Sequence, residues 1–312
     1  MAKKDGLRPF GFRDKLGYLF GDFGNDFTFI LSTSILMKFY TDVMGVSAGV
    51  VGTLMMLARF VDAVTDITMG RICDISKPTG AGKFKPWLLR MCVPVALASF
   101  LMYAPGFSRN ITSQWSETTR ILYLCFTYIL WGSFCYTGIN IPYGSMASAI
   151  SSEPGDRQSL STYRTMGGML AGMIIGVGLP VVAYDQITTP AGDSLSVING
   201  PRVAAAAAIF SAAAIVCYLL AYYLIVERVP YRNAGRIVKQ GSVLQMLKNA
   251  VRNKALISII AASILMLLAQ LTMQSMANYV FPIYYGNTTA QSVSMVIMLA
   301  GSLLIAAIAK PS

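Results

Sequence analysis

Long apolar stretches, separated by short polar segments, recur along the whole chain. A helix that crosses a bilayer needs roughly 20 apolar residues, and the sequence has about eight stretches of that kind. The predicted spans cover residues 16–40, 46–72, 87–103, 120–150, 163–183, 203–226, 255–285 and 292–309. This pattern predicts an all-α fold, a polytopic transmembrane helix bundle.

The composition agrees with a membrane environment. Of the 312 residues, 55% are hydrophobic and 12% are charged, and that charged fraction is about half the value for a soluble domain. The net charge of +11 would suggest a nucleic-acid partner if the protein were soluble. Here the basic residues lie in short loops, as they do beside membrane spans. We therefore expect a lipid bilayer and no nucleic acid as partner.

Metal and cofactor chemistry has little support in the sequence. There are five cysteines and no histidine, and no two cysteines have the CxxC spacing of a metal or redox motif. The cysteines lie in or beside apolar segments, where cysteine behaves as a small buried residue. We expect no cofactor, and no metal beyond a transported cation.

The basic residues are distributed unequally between the two sides of the predicted bundle. They are concentrated in the leader, in the loop at 74–86 and in the stretch 227–254, whereas the other side has only Arg109, Arg120 and Arg202. Basic loops remain in the cytoplasm. We therefore expect a multi-pass protein of the cytoplasmic (inner) membrane with a cytoplasmic N-terminus.

The spacing of the spans suggests two unequal parts. Residues 1–226 form six spans, residues 227–254 form a basic cytoplasmic linker, and residues 255–312 provide two more spans. Many transporters consist of two six-helix halves joined by such a linker. We therefore expect a chain truncated in its second half; the alternative is a complete protein of eight spans.

The second span carries charges where lipid-facing residues are expected. Arg59, Asp62 and Asp66 are three and four residues apart, so they share one face of a helix. Each charge inside a bilayer costs about 2.5–3.5 kcal/mol on insertion scales, so the stripe must face a bundle interior or cavity. Two carboxylates one turn apart can bind a small cation, Na⁺ for instance, or share a proton. The alternative is a structural ion pair between Arg59 and Asp62.

A second group of residues has the chemistry of a sugar site. Asp26 lies near the middle of the first span, and Arg164 lies just inside the fifth span. Trp131 and Tyr136 stand beside polar residues in the fourth span, and a sugar packs its C–H face on a ring while its hydroxyls form hydrogen bonds. Ordinary packing is the alternative for each aromatic. Asp22 is interpreted as an interfacial charge.

Four segments resemble the glycoside–pentoside–hexuronide:cation symporters of the major facilitator superfamily, the melibiose-carrier type. They are residues 21–27 (GDFGNDF), 40–66, which include the charged stripe, 82–87 (GKFKPW) and 136–142 (YTGINIP). The resemblance extends along the whole chain. It implies a major-facilitator-type bundle of about twelve helices, of which about eight are present here.

The resemblance also implies roles for individual residues. Asp62 and Asp66 would bind the coupling cation with Thr137 assisting, and we add Asn140 as a second neutral oxygen donor. Asp26 and Arg164 would hold sugar hydroxyls, with Tyr136 and Trp131 lining the pocket. Arg59 would have a structural role, and Asp74, Lys83 and Lys85 would belong to a cytoplasmic gate.

Three positions depart from the melibiose-carrier pattern. That carrier has a lysine at the position of Asn25, a carboxylate at the position of Asn140 and a tryptophan at the position of Gly144. One carboxylate fewer makes a proton more plausible as the coupling ion, and the missing tryptophan argues against melibiose as the substrate.

We expect a cation-coupled symporter, driven by H⁺ or Na⁺, that moves a sugar or glycoside by alternating access and acts as a monomer. A lysolipid-type carrier on the same scaffold and a non-functional fragment of a symporter are the alternatives. An intramembrane aspartyl protease would more naturally take its two carboxylates from different helices. We therefore do not expect an enzyme.

Overall fold

The computed structural model describes residues 7–108, 110–188, 194–229 and 252–308. Most of the predicted linker, at 230–251, lies outside these residues. The helices are α1 Phe12–Lys38, α2 Ala48–Ile75, α3 Lys85–Tyr103, α4 Ile111–Gln114, α5 Glu117–Ile129, α6 Thr137–Ile150, α7 Pro154–Ala183, α8 Gly200–Leu224, α9 Lys254–Tyr279 and α10 Thr288–Ile308, and the strands are β1 Tyr184–Thr188 and β2 Ser194–Ile198.

Every predicted span coincides with a helix, which confirms the all-α bundle. Within the described residues, six helices are long and apolar enough to cross a membrane; they are Ala48–Ile75, Lys85–Phe107, Glu117–Ile150, Pro154–Ala183, Gly200–Leu224 and Lys254–Tyr284. The other two long helices are α1 and α10. At 27 residues, α1 is long enough to span a bilayer, but its buried polar residues lower its hydropathy.

The most buried helix is α1, which packs mainly against α7 and α8. Its interior face includes Leu31, Ile35 and Leu36, none of which is more than 1% exposed. By contrast, the outward face of α2 is apolar and exposed at Phe60, Val64 and similar residues. Such a surface suits contact with lipid, so the charged stripe of α2 must face the other way.

The fourth span is not a uniform α-helix. A π-helical stretch, Leu130–Tyr136, lies between α5 and α6, and Pro142 follows inside α6. A π-helical turn adds a residue to each turn and is frequent at functional sites. It changes the directions of Trp131, Ser133 and Tyr136, three of the residues that line the candidate site.

The ends of α1 and α9 have the same unusual backbone. Each helix continues into a π-helical turn, Phe39–Val43 or Val280–Tyr284, and each turn is followed two residues later by a glycine with positive φ. The glycines are Gly45 at 64° and Gly286 at 60°. This left-handed conformation is accessible to glycine at little cost. The helices α1 and α9 therefore end in the same local backbone arrangement.

The helices α9 and α10 are attached to α1 and α7 through buried polar groups. The Lys38 ammonium donates to the carbonyl of Asn278 over 3.0 Å, and the Asn278 amide donates to the carbonyl of Ser34. The Lys38 ammonium also lies 4.8 Å from the centre of the Tyr184 ring.

The last helix, α10, is attached to α9 and α7. Gln291 donates to the Asn278 side chain over 3.0 Å, and Ser292 donates to the carbonyl of Val177 over 2.8 Å.

The segment predicted as a polar loop before the sixth span contains a hairpin. Strands β1 and β2 pair antiparallel, with Tyr184 opposite Ile198. An ion pair of 2.6 Å joins Asp185 to Arg202 at the start of α8. The hairpin is a local addition to the helical bundle.

Residues on the N-terminal side of the bundle converge on a buried carboxylate. Asp14 in the first turn of α1 is fully buried. Its oxygens pair with Arg8 at 3.0 Å and with Arg228 at 2.8 Å, and they accept a hydrogen bond from the backbone N–H of Val226. The segment that follows α8 is thereby anchored to the start of α1.

Candidate functional site

The two carboxylates of α2 are each held by a hydroxyl of the fourth span. Ser133 donates to Oδ1 of Asp62 over 2.6 Å, and Thr137 donates to Oδ1 of Asp66 over 2.7 Å. Ser133 and Thr137 are four residues apart, as are Asp62 and Asp66. Two parallel helix faces therefore meet residue by residue, and carboxylate and hydroxyl oxygens are concentrated between them.

The charge of Asp62 is partly balanced by α2 itself. Arg59 pairs with Oδ2 of Asp62 at 3.0 Å and also donates to the Tyr128 hydroxyl over 2.9 Å. The predicted ion pair is therefore present. Within the described residues Asp66 forms no ion pair, so it is the carboxylate whose charge a bound cation or proton would balance. No group of three or more His, Cys, Asp or Glu side chains in the described part of the chain could hold a metal ion.

A second charged group lies between α1 and α7. Asp22 accepts a hydrogen bond from Nε of Arg164 over 2.9 Å. The Arg164 guanidinium also lies over the Tyr143 ring, 5.3 Å from its centre. Tyr143 stacks on Tyr18 at 4.6 Å, and each hydroxyl donates to the backbone carbonyl of the other residue. Arg164 thus rests on a rigid aromatic pair.

Asp26 lies one helical turn from Asp22 and faces α7. Within the described residues its carboxylate has no hydrogen bond and no ion pair. It faces Gly168, where a Cβ atom would lie 2.5 Å from Oδ2 of Asp26. The absence of a side chain at Gly168 therefore leaves room for this carboxylate, which is an acceptor available to a substrate hydroxyl.

The predicted pocket aromatics belong to an aromatic cluster between the fourth span and α1. Tyr136 stacks on Phe29 at 5.5 Å and contacts Trp131 at 5.5 Å. Trp131 is 2% exposed, and its indole N–H has no hydrogen-bond partner in the described part of the chain. The two predicted pocket aromatics are therefore in contact with each other, and Tyr136 also packs on α1.

Asn140 contacts α1 rather than the α2 carboxylates. Its side-chain oxygen accepts a hydrogen bond of 3.4 Å from Asn25, whose own oxygen accepts one of 2.8 Å from Tyr218. Two of the three departures from the melibiose-carrier pattern are therefore in contact, as an uncharged amide pair. The role of Asn140 in cation binding stays a prediction.

The predicted gate residues are connected to the segment after α8. The Glu227 carboxylate accepts hydrogen bonds from the backbone N–H groups of Lys83, Phe84 and Lys85, at 2.7, 2.9 and 2.6 Å. The Lys83 ammonium donates to the backbone carbonyl of Asp74 over 3.1 Å. Glu227 thus caps the N-terminus of α3, where a negative charge is favourable. A gating role stays a prediction.

Several residues of these clusters were not predicted. Ser133 lies four residues before Thr137, so helical spacing from Thr137 could have identified it. Asp22 was treated as an interfacial charge, although its spacing of four from Asp26 places both on one face. Glu227 gave no sequence signal, because its partners are backbone groups of a distant loop.

Comparison with known proteins identifies the family. A family model described as MFS/sugar transport protein matches residues 17–311. The uncharacterized symporter YjmB of Bacillus subtilis is 28% identical over 295 residues, 94% of this chain and 60% of that protein.

Two further relatives match about half of the chain. A glucuronide carrier protein homolog of Escherichia coli is 37% identical over 158 residues, 51% of this chain and 33% of its own length. The isoprimeverose transporter of Lactiplantibacillus pentosus is 35% identical over 173 residues, 55% of this chain and 34% of its own. The chain thus spans about a third to 60% of the length of these relatives. The family consists of membrane transporters rather than enzymes, and this multi-pass chain belongs to the MFS/sugar transport family.

Proposed function

We propose that the protein containing this chain is a secondary transporter that couples the movement of a sugar or glycoside to a monovalent cation. The observation that carries the proposal is that two carboxylates of the membrane spans, Asp66 on α2 and Asp26 on α1, form no ion pair within the described residues. A carboxylate inside a membrane span is costly when it has no cationic partner. A cation at Asp66 would balance the charge of that carboxylate. A polyhydroxylated substrate would donate hydrogen bonds to the carboxylate of Asp26.

The cation site would consist of Asp62, Asp66 and Thr137. Their oxygens are suitable ligands for Na⁺, and the same carboxylates can instead take up a proton. Arg59 balances the charge of Asp62, and the coupling ion, Na⁺ or H⁺, would offset the charge of Asp66. Since Thr137 donates to Asp66, it would also orient the carboxylate that binds the ion.

The sugar site would lie beside Asp26 and Arg164. Asp26 accepts hydrogen bonds from hydroxyls, and the N–H groups of Arg164 that do not contact Asp22 donate to hydroxyl oxygens. Tyr136 and Trp131 provide aromatic surface for the C–H face of a sugar ring. The names of the relatives leave the charge of the substrate open, since a glucuronide carries a carboxylate and isoprimeverose does not.

The architecture supports transport by alternating access. The shared ends of α1 and α9 support a division into a six-helix half at 1–226, a linker at 227–254 and the start of a second half at 255–312. Major facilitators have two such halves, with the substrate between them. The distribution of basic residues supports a cytoplasmic N-terminus in the cytoplasmic membrane, and a monomer suffices for the mechanism.

Uptake measurements on the protein containing this sequence test the proposal. Radiolabelled glycosides are offered to proteoliposomes under an imposed Na⁺ or pH gradient. We expect Asp66→Asn to abolish the dependence of uptake on the gradient, and Thr137→Val to weaken it by about tenfold or more, because a hydrogen bond to a charged group contributes about 1.5–3 kcal/mol. Thr127→Val is the matched control, since Thr127 donates only to carbonyls of its own helix.

Normal concentrative uptake with both Asp62 and Asp66 neutralised would contradict cation coupling at this site. A lysolipid-type carrier is tested in parallel by offering lysophospholipid. Transport of lysophospholipid without transport of any glycoside would replace the sugar assignment.

A further inference from the structure

The charge of Arg164 is already compensated within the candidate sugar site. Its Nε donates to Asp22 over 2.9 Å, and the Asp22 side chain is only 11% exposed. The contact with Tyr143 holds the guanidinium plane in place. Arg164 therefore offers N–H donors to a ligand but little uncompensated positive charge.

Two carboxylates of α1, Asp22 and Asp26, face the same point on α7. A Cβ atom at Gly168 would lie 2.5 Å from Oδ2 of Asp26 and 3.3 Å from Oδ2 of Asp22. When both carboxylates are ionised, these groups and Arg164 together have a formal charge of minus one. The neighbouring polar residues Asn25 and Asn140 are uncharged and contact each other.

The open side of the site lies next to Gly144. A Cβ atom at Gly144 would lie 3.8 Å from Nη1 of Arg164, so a ligand can approach that nitrogen without meeting a side chain at position 144. A ligand there would contact Nη1 of Arg164 while it remained close to two carboxylates. A hydroxyl group is a suitable ligand here, because it can accept a hydrogen bond from Arg164 and donate one to a carboxylate.

We propose that this site selects uncharged glycosides over sugars that carry a carboxylate, sulfonate or phosphate, and that Asp22 is the residue that determines this specificity. The inference rests on the proposed sugar transport. An anionic sugar would meet a site of negative formal charge whose arginine is already paired. Repulsion between unit charges in a partly buried site corresponds to about tenfold or more in affinity.

Pairs of probes that differ only at C6 test the proposal. We would use calorimetry to measure binding of p-nitrophenyl β-D-glucoside against the glucuronide, and of the galactoside against the galacturonide, to the purified protein that contains this sequence. The wild-type chain should bind the uncharged member of a pair at least tenfold more tightly. Asp22→Asn frees Arg164, and we expect it to shift that ratio towards the uronide by about tenfold or more.

A double variant separates specificity from folding. Asp22→Asn with Arg164→Gln restores the formal charge of minus one without the ion pair, so the preference for the uncharged probe should return. A purely structural role of Asp22 would not predict that reversal. Asp42→Asn removes an exposed carboxylate in the turn that follows α1 and should leave the ratio unchanged.

Each outcome bears on a specific part of the proposal. Equal or tighter binding of the uronides by the wild-type chain would overturn it, and so would an unchanged ratio in Asp22→Asn. Binding of none of the four probes would instead count against the sugar assignment on which the inference rests.

Discussion

Glu227→Gln is a sharp test of how the segment after α8 is attached to the bundle. The wild-type carboxylate accepts three backbone hydrogen bonds of 2.6–2.9 Å at the N-terminus of α3. Glutamine keeps the shape and one acceptor oxygen, but its NH₂ group must face a backbone N–H. Hydrogen bonds to charged groups contribute about 1.5–3 kcal/mol, and a favourable charge at a helix terminus adds about 0.3–1 kcal/mol. Because Glu227 is partly buried, we expect a loss of about 2–3 kcal/mol.

Thermal unfolding of the purified chain in detergent measures this loss. A destabilisation of that size should lower the Tm by a few degrees. Glu153→Gln is the matched control, because Glu153 lies at the N-terminus of α7, is exposed and makes no side-chain cap. Equal Tm values for Glu227→Gln and Glu153→Gln would refute the argument, because they would show that the three hydrogen bonds of Glu227 add no stability beyond that of a charge at a helix start.

Two further substitutions follow from the geometry. Asp14→Asn should destabilise the chain by about 3–5 kcal/mol, because it leaves Arg8 and Arg228 without their buried partner; a Tm equal to that of wild type would contradict the assigned contacts. Gly168→Ala should abolish glycoside binding measured by calorimetry, because the new methyl group would lie 2.5 Å from the Asp26 carboxylate. Gly172→Ala, one turn away, places its methyl group 3.6 Å from Ile30 and should bind normally.

The helices and the α2 stripe were predictable because their signals are local. Span lengths follow from bilayer thickness, and three charges at helical spacing inside an apolar segment must share a protected face. The structure places Ser133 and Thr137 opposite Asp62 and Asp66, as a protected face requires. The sequence also indicated Thr137 through its resemblance to a known family, without showing which carboxylate it contacts.

Other features depend on contacts that a linear pattern does not contain. Lys38 is 3% exposed, and the sequence pattern gives no sign of what it contacts. Its partner is a backbone carbonyl of Asn278, 240 residues away. The pairing of Asn25 with Asn140 likewise depends on how α1 and α6 meet. The π-helical stretch before Thr137 also has no simple sequence signature.

The π-helical stretch brings the two proposed sites within one residue of each other. Thr137 donates to Asp66 on α2, while the preceding residue, Tyr136, stacks on Phe29 of α1, three residues from Asp26. A cation bound by Asp66 and Thr137 would change the hydrogen bonding at the junction of the π-helix and α6. Because Thr137 also donates to the carbonyl of Gly132 within the π-helix, that change reaches the backbone that carries Tyr136. Coupling between the proposed cation and sugar sites would therefore require no long pathway, since Thr137 belongs to the one and its neighbour Tyr136 to the other.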